Sequence, residues 1–204
     1  MKRQRPLVII VVIILAGLIG LVSLGANHRL TKSDIAFNPY KVGDTLVFQS
    51  DQRESDTLII YSADRQVLRE KCYSFLTCIY SYLTVDSWEG LYVDVRTPTD
   101  HWTGTNILTV RAEPNGTKTI YFNLILKNAW WYGDNEDDLD KIKLLTKETF
   151  KHSNNVFSDV VTIISKNKEY LDRPDYIEKI YWSKSYGFVG FDKLNGEKWI
   201  VTKK

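Results

Sequence analysis

From residue 45 to residue 201 the chain alternates short runs rich in Leu, Ile, Val, Phe and Thr with polar or glycine-containing breaks. The runs fall at 45–49, 57–61, 79–85, 90–96, 106–112, 118–126, 156–164, 177–182, 188–191 and 198–201. Such runs, bounded by turn residues, predict β-strands. The charged stretch 51–56 separates the first two as a hairpin loop. Pro114-Asn115-Gly116 and Asn195-Gly196 each lie between runs and favour tight antiparallel hairpins. Parallel crossovers need a dozen or more connecting residues, usually a helix, and only 137–150 has helical spacing, with Leu139, Ile142, Leu145 and Thr149 among Lys141, Lys143 and Lys147. The pattern therefore predicts a mainly β protein. Its antiparallel sheet is expected to form an open or half barrel, or a sandwich, with at most one or two short helices. Gly190, inside a strand, predicts a bulge or a close backbone approach.

A different pattern precedes the sheet. Lys2, Arg3 and Arg5 lead into an uncharged run at 7–26, which as a helix reaches about 30 Å, enough to cross a hydrocarbon core. Cations on the near side keep the N-terminus in the cytoplasm and send the rest across. The expectation is a signal anchor over 1–26, a polar stalk over 27–40 and an extracytoplasmic β-rich domain over 41–204. Cleavage after Gly25, with Ser23 two residues before, is the alternative and would leave a periplasmic or secreted protein. Lipid attachment just after the apolar run is excluded, because the first cysteine is Cys72.

Charge changes the picture little. Without the three leading cations, the 27 basic residues become 24 against 25 acidic ones, a net charge of −1, so nothing points to nucleic acid. Cys72 and Cys78 are the only cysteines, and outside the cytoplasm such a pair predicts a disulfide, with two unpaired thiols as the alternative. A metal site would need further ligands, and His28, His101 and His152 form no ligand-spaced pair. The acidic group Asp134, Glu136, Asp137, Asp138 and Asp140 lacks the glycine and the closing glutamate of a calcium loop. Its carboxylates suit the N-terminus of the helix that follows.

Candidate chemistry is sparse. The sequence contains no nucleophile elbow, phosphate-cradling loop or His-Glu-x-x-His, and no cofactor is implied. Trp130-Trp131-Tyr132 is the most suggestive aromatic group. Neighbours on a strand face opposite ways, so one tryptophan of an extended pair is expected on the surface, as part of a ligand or partner surface. Asn115-Gly116-Thr117 matches a glycosylation acceptor, although a hairpin turn accounts for it equally.

Two blocks carry a resemblance. Tyr40-Lys41-Val42-Gly43-Asp44-Thr45 with Asp56-Thr57-Leu58, and residues 180–191 with Gly196-Glu197-Lys198-Trp199, resemble the first and last blocks of uncharacterised secreted or envelope β-rich proteins of Bacteroidetes. The resemblance implies a β-rich domain facing the periplasm of a Gram-negative envelope and brings no functional residue. This chain departs from many of those proteins in lacking a lipidated cysteine. The expected function is non-enzymatic binding or structural interaction at the inner membrane, spanned once through 7–26, with an envelope protein as partner. The alternatives are a carrier of lipid or another hydrophobic ligand in a half-barrel cavity, and a hydrolase.

Overall fold

Both predicted hairpin turns close as expected. Gly116 and Gly196 take positive φ (83° and 90°), and the flanking Glu113 and Lys193 each pair their amide with the carbonyl four residues on, Glu113 with Thr117 at 2.8 Å and Lys193 with Glu197 at 2.9 Å. The computed structural model describes Ile10 and residues 27–69, 87–98, 105–131, 136–152, 155–167 and 169–203. In chain order these form β1 (Asn27–His28), α1 (Lys32–Ile35), β2 (Thr45–Ser50), β3 (Ser55–Arg69), β4 (Ser87–Arg96), β5 (Thr105–Ala112), β6 (Lys118–Phe122), β7 (Ile125–Leu126) and β8 (Ala129–Trp130). They continue as β9 (Glu136–Asp138), α2 (Leu139–Leu144), β10 (Glu148–His152), β11 (Asn155–Ile164), β12 (Ile177–Ser183), β13 (Gly187–Lys193) and β14 (Lys198–Lys203).

One sheet takes up almost all of them, in the order β10-β11-β12-β13-β14-β2-β3-β4-β5-β6-β9, while β7 and β8 form a separate ribbon. Every neighbouring pair along that path is antiparallel, and β1 adds a short parallel pairing to β4. The sheet curls into a half-barrel. Phe122 on β6 lies 4.8 Å from Trp182 on β12 and 6.0 Å from Phe188 on β13, ring centroid to ring centroid. Strands so far apart in the pairing order meet only when the sheet bends round. The two edges are joined by α2, which leads from β9 to β10, and by an ion pair between Lys166, just beyond β11, and Asp137 on β9.

Alternation decides which side chains enter this curl. Leu46 and Phe48 on β2, Ile60 on β3, Val93 on β4, Leu108 and Val110 on β5, Ile180 and Trp182 on β12, and Trp199 on β14 are all buried. Each large apolar side chain so removed from water contributes about 1.5–3 kcal/mol before entropy is counted. The interior is packed with rings: Phe191 stacks on Trp199 at 5.6 Å, and Trp182 meets Phe188 edge-on at 5.2 Å. Gly190 behaves as its position predicted. The register between β12 and β13 slips beside it, and a Cβ there would overlap the Trp199 carbonyl oxygen.

Three expectations change. Residues 27–40 are no stalk, since Leu30, Phe37 and Tyr40 are buried in the core and Asp34 is wholly enclosed. The sequence disguised this because the segment buries only isolated apolar residues and one acid. The helix expected over 137–150 is only six residues long, Leu139–Leu144. Leu144 is exposed, and the next residues join the sheet instead as β10, an unforeseen strand. The run 118–126 divides at Asn123, whose amide turns to the Ile107 carbonyl, giving β6 and β7. The strand expected at 79–85, the apolar run at 7–26 apart from Ile10, and Cys72 and Cys78 lie outside the described residues. Among the described residues no helix is long and apolar enough to cross a membrane.

Candidate functional site

The most elaborate outer feature begins with a defect in strand pairing. Glu148 pairs with Val160 but Phe150 pairs with Phe157, so β11 carries an extra residue at this point of the β10–β11 hairpin. Asp159 occupies it with φ of 61°, in the left-handed region that aspartate tolerates better than most residues. Its carboxylate accepts from the Ser183 hydroxyl at 2.7 Å and from the Ser185 hydroxyl at 3.0 Å, which fastens the bulge to the β12–β13 turn. Beyond the bulge the hairpin reaches over the outer face of the sheet. Phe150 comes to rest against Tyr181 of β12, ring centroids 4.8 Å apart.

Beneath it lies a groove of about 480 Å³, bordered by Lys151 and His152 of the hairpin and by Gln49, Lys198 and Thr202 of the sheet. Its floor is an electrostatic network built on alternation. Lys179 and Tyr181 point outward between the buried Ile180 and Trp182, and Asp192 pairs across from Lys179. Asp192, itself buried, accepts from the Tyr181 hydroxyl at 2.9 Å and from the Lys179 ammonium at 3.1 Å. Burial, and then the adjacent carboxylate, push the Tyr181 phenol up to about 12. The Asp192 hydrogen bond raises the Lys179 ammonium above its ordinary value despite desolvation. Asp192 is thus a structural acceptor held by two donors of the fold, and the rim carries Asp51 together with Lys151 and Lys198. The arrangement can orient a polar ligand against an aromatic wall.

At the mouth of the half-barrel the two helices are clasped by one carboxylate. Asp34 of α1 receives Lys118 of β6 at 2.6 Å and Lys143 of α2 at 2.7 Å, as well as the Thr31 hydroxyl and amide that form its own helix cap. Burial alone would push this carboxyl up. The two ammoniums and Thr31 overcome it and hold the acid far below the usual carboxylate range. An opening of about 120 Å³ beside the clasp is bordered by Phe37, Ile142, Val161 and Trp182.

The residues singled out from sequence separate. Trp131 is buried, whereas its neighbour Trp130 is 38% exposed, the one-in, one-out arrangement that an extended pair requires. Trp130 pairs with Ile125 across the β7–β8 ribbon, its amide binds the Asp175 carbonyl at 2.7 Å, and the Arg173 guanidinium sits 5.9 Å from its ring centroid. Tyr132 lies outside the described residues, so the described part of the group offers one surface ring. Of the acidic cluster, Asp138 caps α2 by accepting from the amides of Asp140 and Lys141, and Asp137 pairs with Lys166. Among the described residues no group of three His, Cys, Asp or Glu is placed to hold a metal ion. Asn115 of the glycosylation-like triplet spends its side-chain oxygen on the amide and hydroxyl of Thr117.

Sequence reading missed the hairpin groove. The alternation Lys179, Ile180, Tyr181, Trp182 did carry a signal, because a core pattern on even positions sends Tyr181 outward. Comparison of the chain with family models, with curated proteins and with solved structures gives no match.

Proposed function

We propose that this chain is an extracytoplasmic binding protein, held at the inner membrane through residues 7–26 and acting without catalysis, with its ligand or partner engaging the outer face of the curled sheet. One observation carries the reading: side chains from opposite walls meet inside the half-barrel, as Phe122 does with Trp182, while concave, polar and aromatic surface lies outside, under the β10–β11 hairpin. A carrier of lipid would need apolar space where those rings stand. The resemblance to secreted Bacteroidetes proteins supports the same cellular placement.

The test has two parts. Full-length protein fused at its C-terminus to alkaline phosphatase, an enzyme that matures only outside the cytoplasm, is expected to be active in the membrane fraction of a Gram-negative host; an inactive fusion would overturn the placement. Organic extraction of the purified full-length protein is expected to yield no lipid beyond that of an equally anchored unrelated domain. A stoichiometric lipid, lost when Phe122 or Trp182 is enlarged or truncated, would replace the binding reading with the carrier.

A further inference from the structure

We propose that the outer face of β4, β5 and β6 is a binding site for a neutral oligosaccharide. This deepens the reading above, since it rests on an outward-facing binding domain, and it concerns a second groove, of about 530 Å³, well separated in pairing order from the hairpin groove.

The site follows from register. Tyr92, Thr109 and Tyr121 stand directly opposite one another on three adjacent strands, so the two tyrosines leave one face from backbone positions about 10 Å apart, with a threonine between them. Tyr92 lies along its own strand with its ring in the space that a Cβ on Gly90 would fill. The hydroxyl end of the ring therefore rests against Gly90, and the ring borders the groove. The slot between the tyrosines is bordered by Asn106, Asn123 and Arg111. Ile125 continues the groove onto the β7–β8 ribbon, where it is paired with the exposed Trp130.

The chemistry of this lining selects among ligands. A sugar ring presents an apolar C–H face, which packs on an aromatic plane, and a rim of hydroxyls that both donate and accept. Amides and hydroxyls match that rim because they too do both. Asn106 adds a specific signal, since its side-chain oxygen is buried without a hydrogen-bond partner, a cost that a donor reaching it would remove. Among the described residues the only charged group on this slot is Arg111, already paired with Glu113 at 3.0 Å. A strongly anionic ligand is therefore not called for. An extended peptide would seek an open strand edge, and all three strands are paired on both sides.

The experiment uses the full-length protein in a detergent without a sugar headgroup, titrated calorimetrically with maltohexaose, cellohexaose, xylohexaose, mannohexaose and N-acetylchitohexaose. Binding of at least one is expected. Tyr92→Ala and Tyr121→Ala should each weaken it by about tenfold, the loss of one stacking surface, while Tyr92→Phe retains it and Leu144→Ala, at an exposed position on α2 outside both grooves, leaves it unchanged. Thr109→Arg, which fills the slot between the rings, should abolish binding; Thr109 is itself buried, so retention of the fold is checked by near-ultraviolet circular dichroism. Absence of heat with all five probes would overturn the inference, as would binding that survives Thr109→Arg or is lost on Leu144→Ala. An active phosphatase fusion combined with no sugar binding would sink this proposal alone and leave the extracytoplasmic reading standing.

Discussion

Gly190 shows how much one missing methyl can decide. The strand pairing of β13 with β14 brings the Trp199 carbonyl into the volume that any side chain at 190 would need. Because the obstacle is backbone, it cannot rotate away. Gly190→Ala is expected to destabilise the protein by about 1–3 kcal/mol, measured by urea denaturation. That constraint was legible in the sequence, because a glycine in an otherwise apolar strand gives up a side chain's worth of packing and so marks a bulge or a close approach of backbone. The opposite fates of Trp130 and Trp131 were legible for a similar reason, as period-two geometry is local. Which of the pair would be buried was not, because it depends on the Leu124 carbonyl that receives the Trp131 amide and on Asp175, far along the chain.

Among the elements, the β10–β11 hairpin owes its direction to the bulge at Asp159. Valine at this position would be strained in the left-handed region and would forfeit the bonds to Ser183 and Ser185. Asp159→Val should therefore cost about 2–4 kcal/mol and increase amide exchange along 150–157, whereas Asp159→Asn should change both only slightly. The clasp between the helices is sensitive to acid. The folded-state pKa of Asp34 is depressed, so its contribution is fully present above the unfolded carboxylate value of about 3.9 and is lost as pH falls from there toward the folded value. Stability measured between pH 5 and pH 2 should fall more steeply in the parent than in Asp34→Asn. The variant should already be weaker at pH 7, by about 3–5 kcal/mol at most, because its two lysines are left facing an amide and are themselves partly exposed. Nothing in the sequence announced this clasp. A lone aspartate before Ile35 looks like any surface acid until Lys118 and Lys143, 84 and 109 residues away, are folded onto it.

For the whole molecule, the curl matters more than any strand. Phe122 packs one wall against the other, so Phe122→Ala is expected to cost about 3–5 kcal/mol, with the loss visible in near-ultraviolet circular dichroism from Trp182. The mainly β architecture with few helices was readable because each strand writes its own alternation and each tight turn its own glycine. The two grooves were not readable, since they are made by register: Tyr92 and Tyr121 border one groove only because β5 aligns them, and Phe150 meets Tyr181 only across a bulged hairpin.

The middle of the sheet also sets an order of events. β2 begins the path on one side of its seam and β14 ends the chain's strands on the other, joined by pairs such as Ile200 with Gln49 and Val201 with Phe48, and tied nearby by Tyr40, whose hydroxyl accepts from the Phe188 amide 148 residues later. During synthesis β3 can cover one flank of β2 within seconds. The other flank must wait, an open row of amides and carbonyls, until β14, about 150 residues further along, has been made. Pairings across such a separation are slow to find. A chain delivered across a membrane from its N-terminal end would therefore arrive with a naked strand at its heart, and its survival before β14 emerges would rest on whatever shields that flank in the meantime.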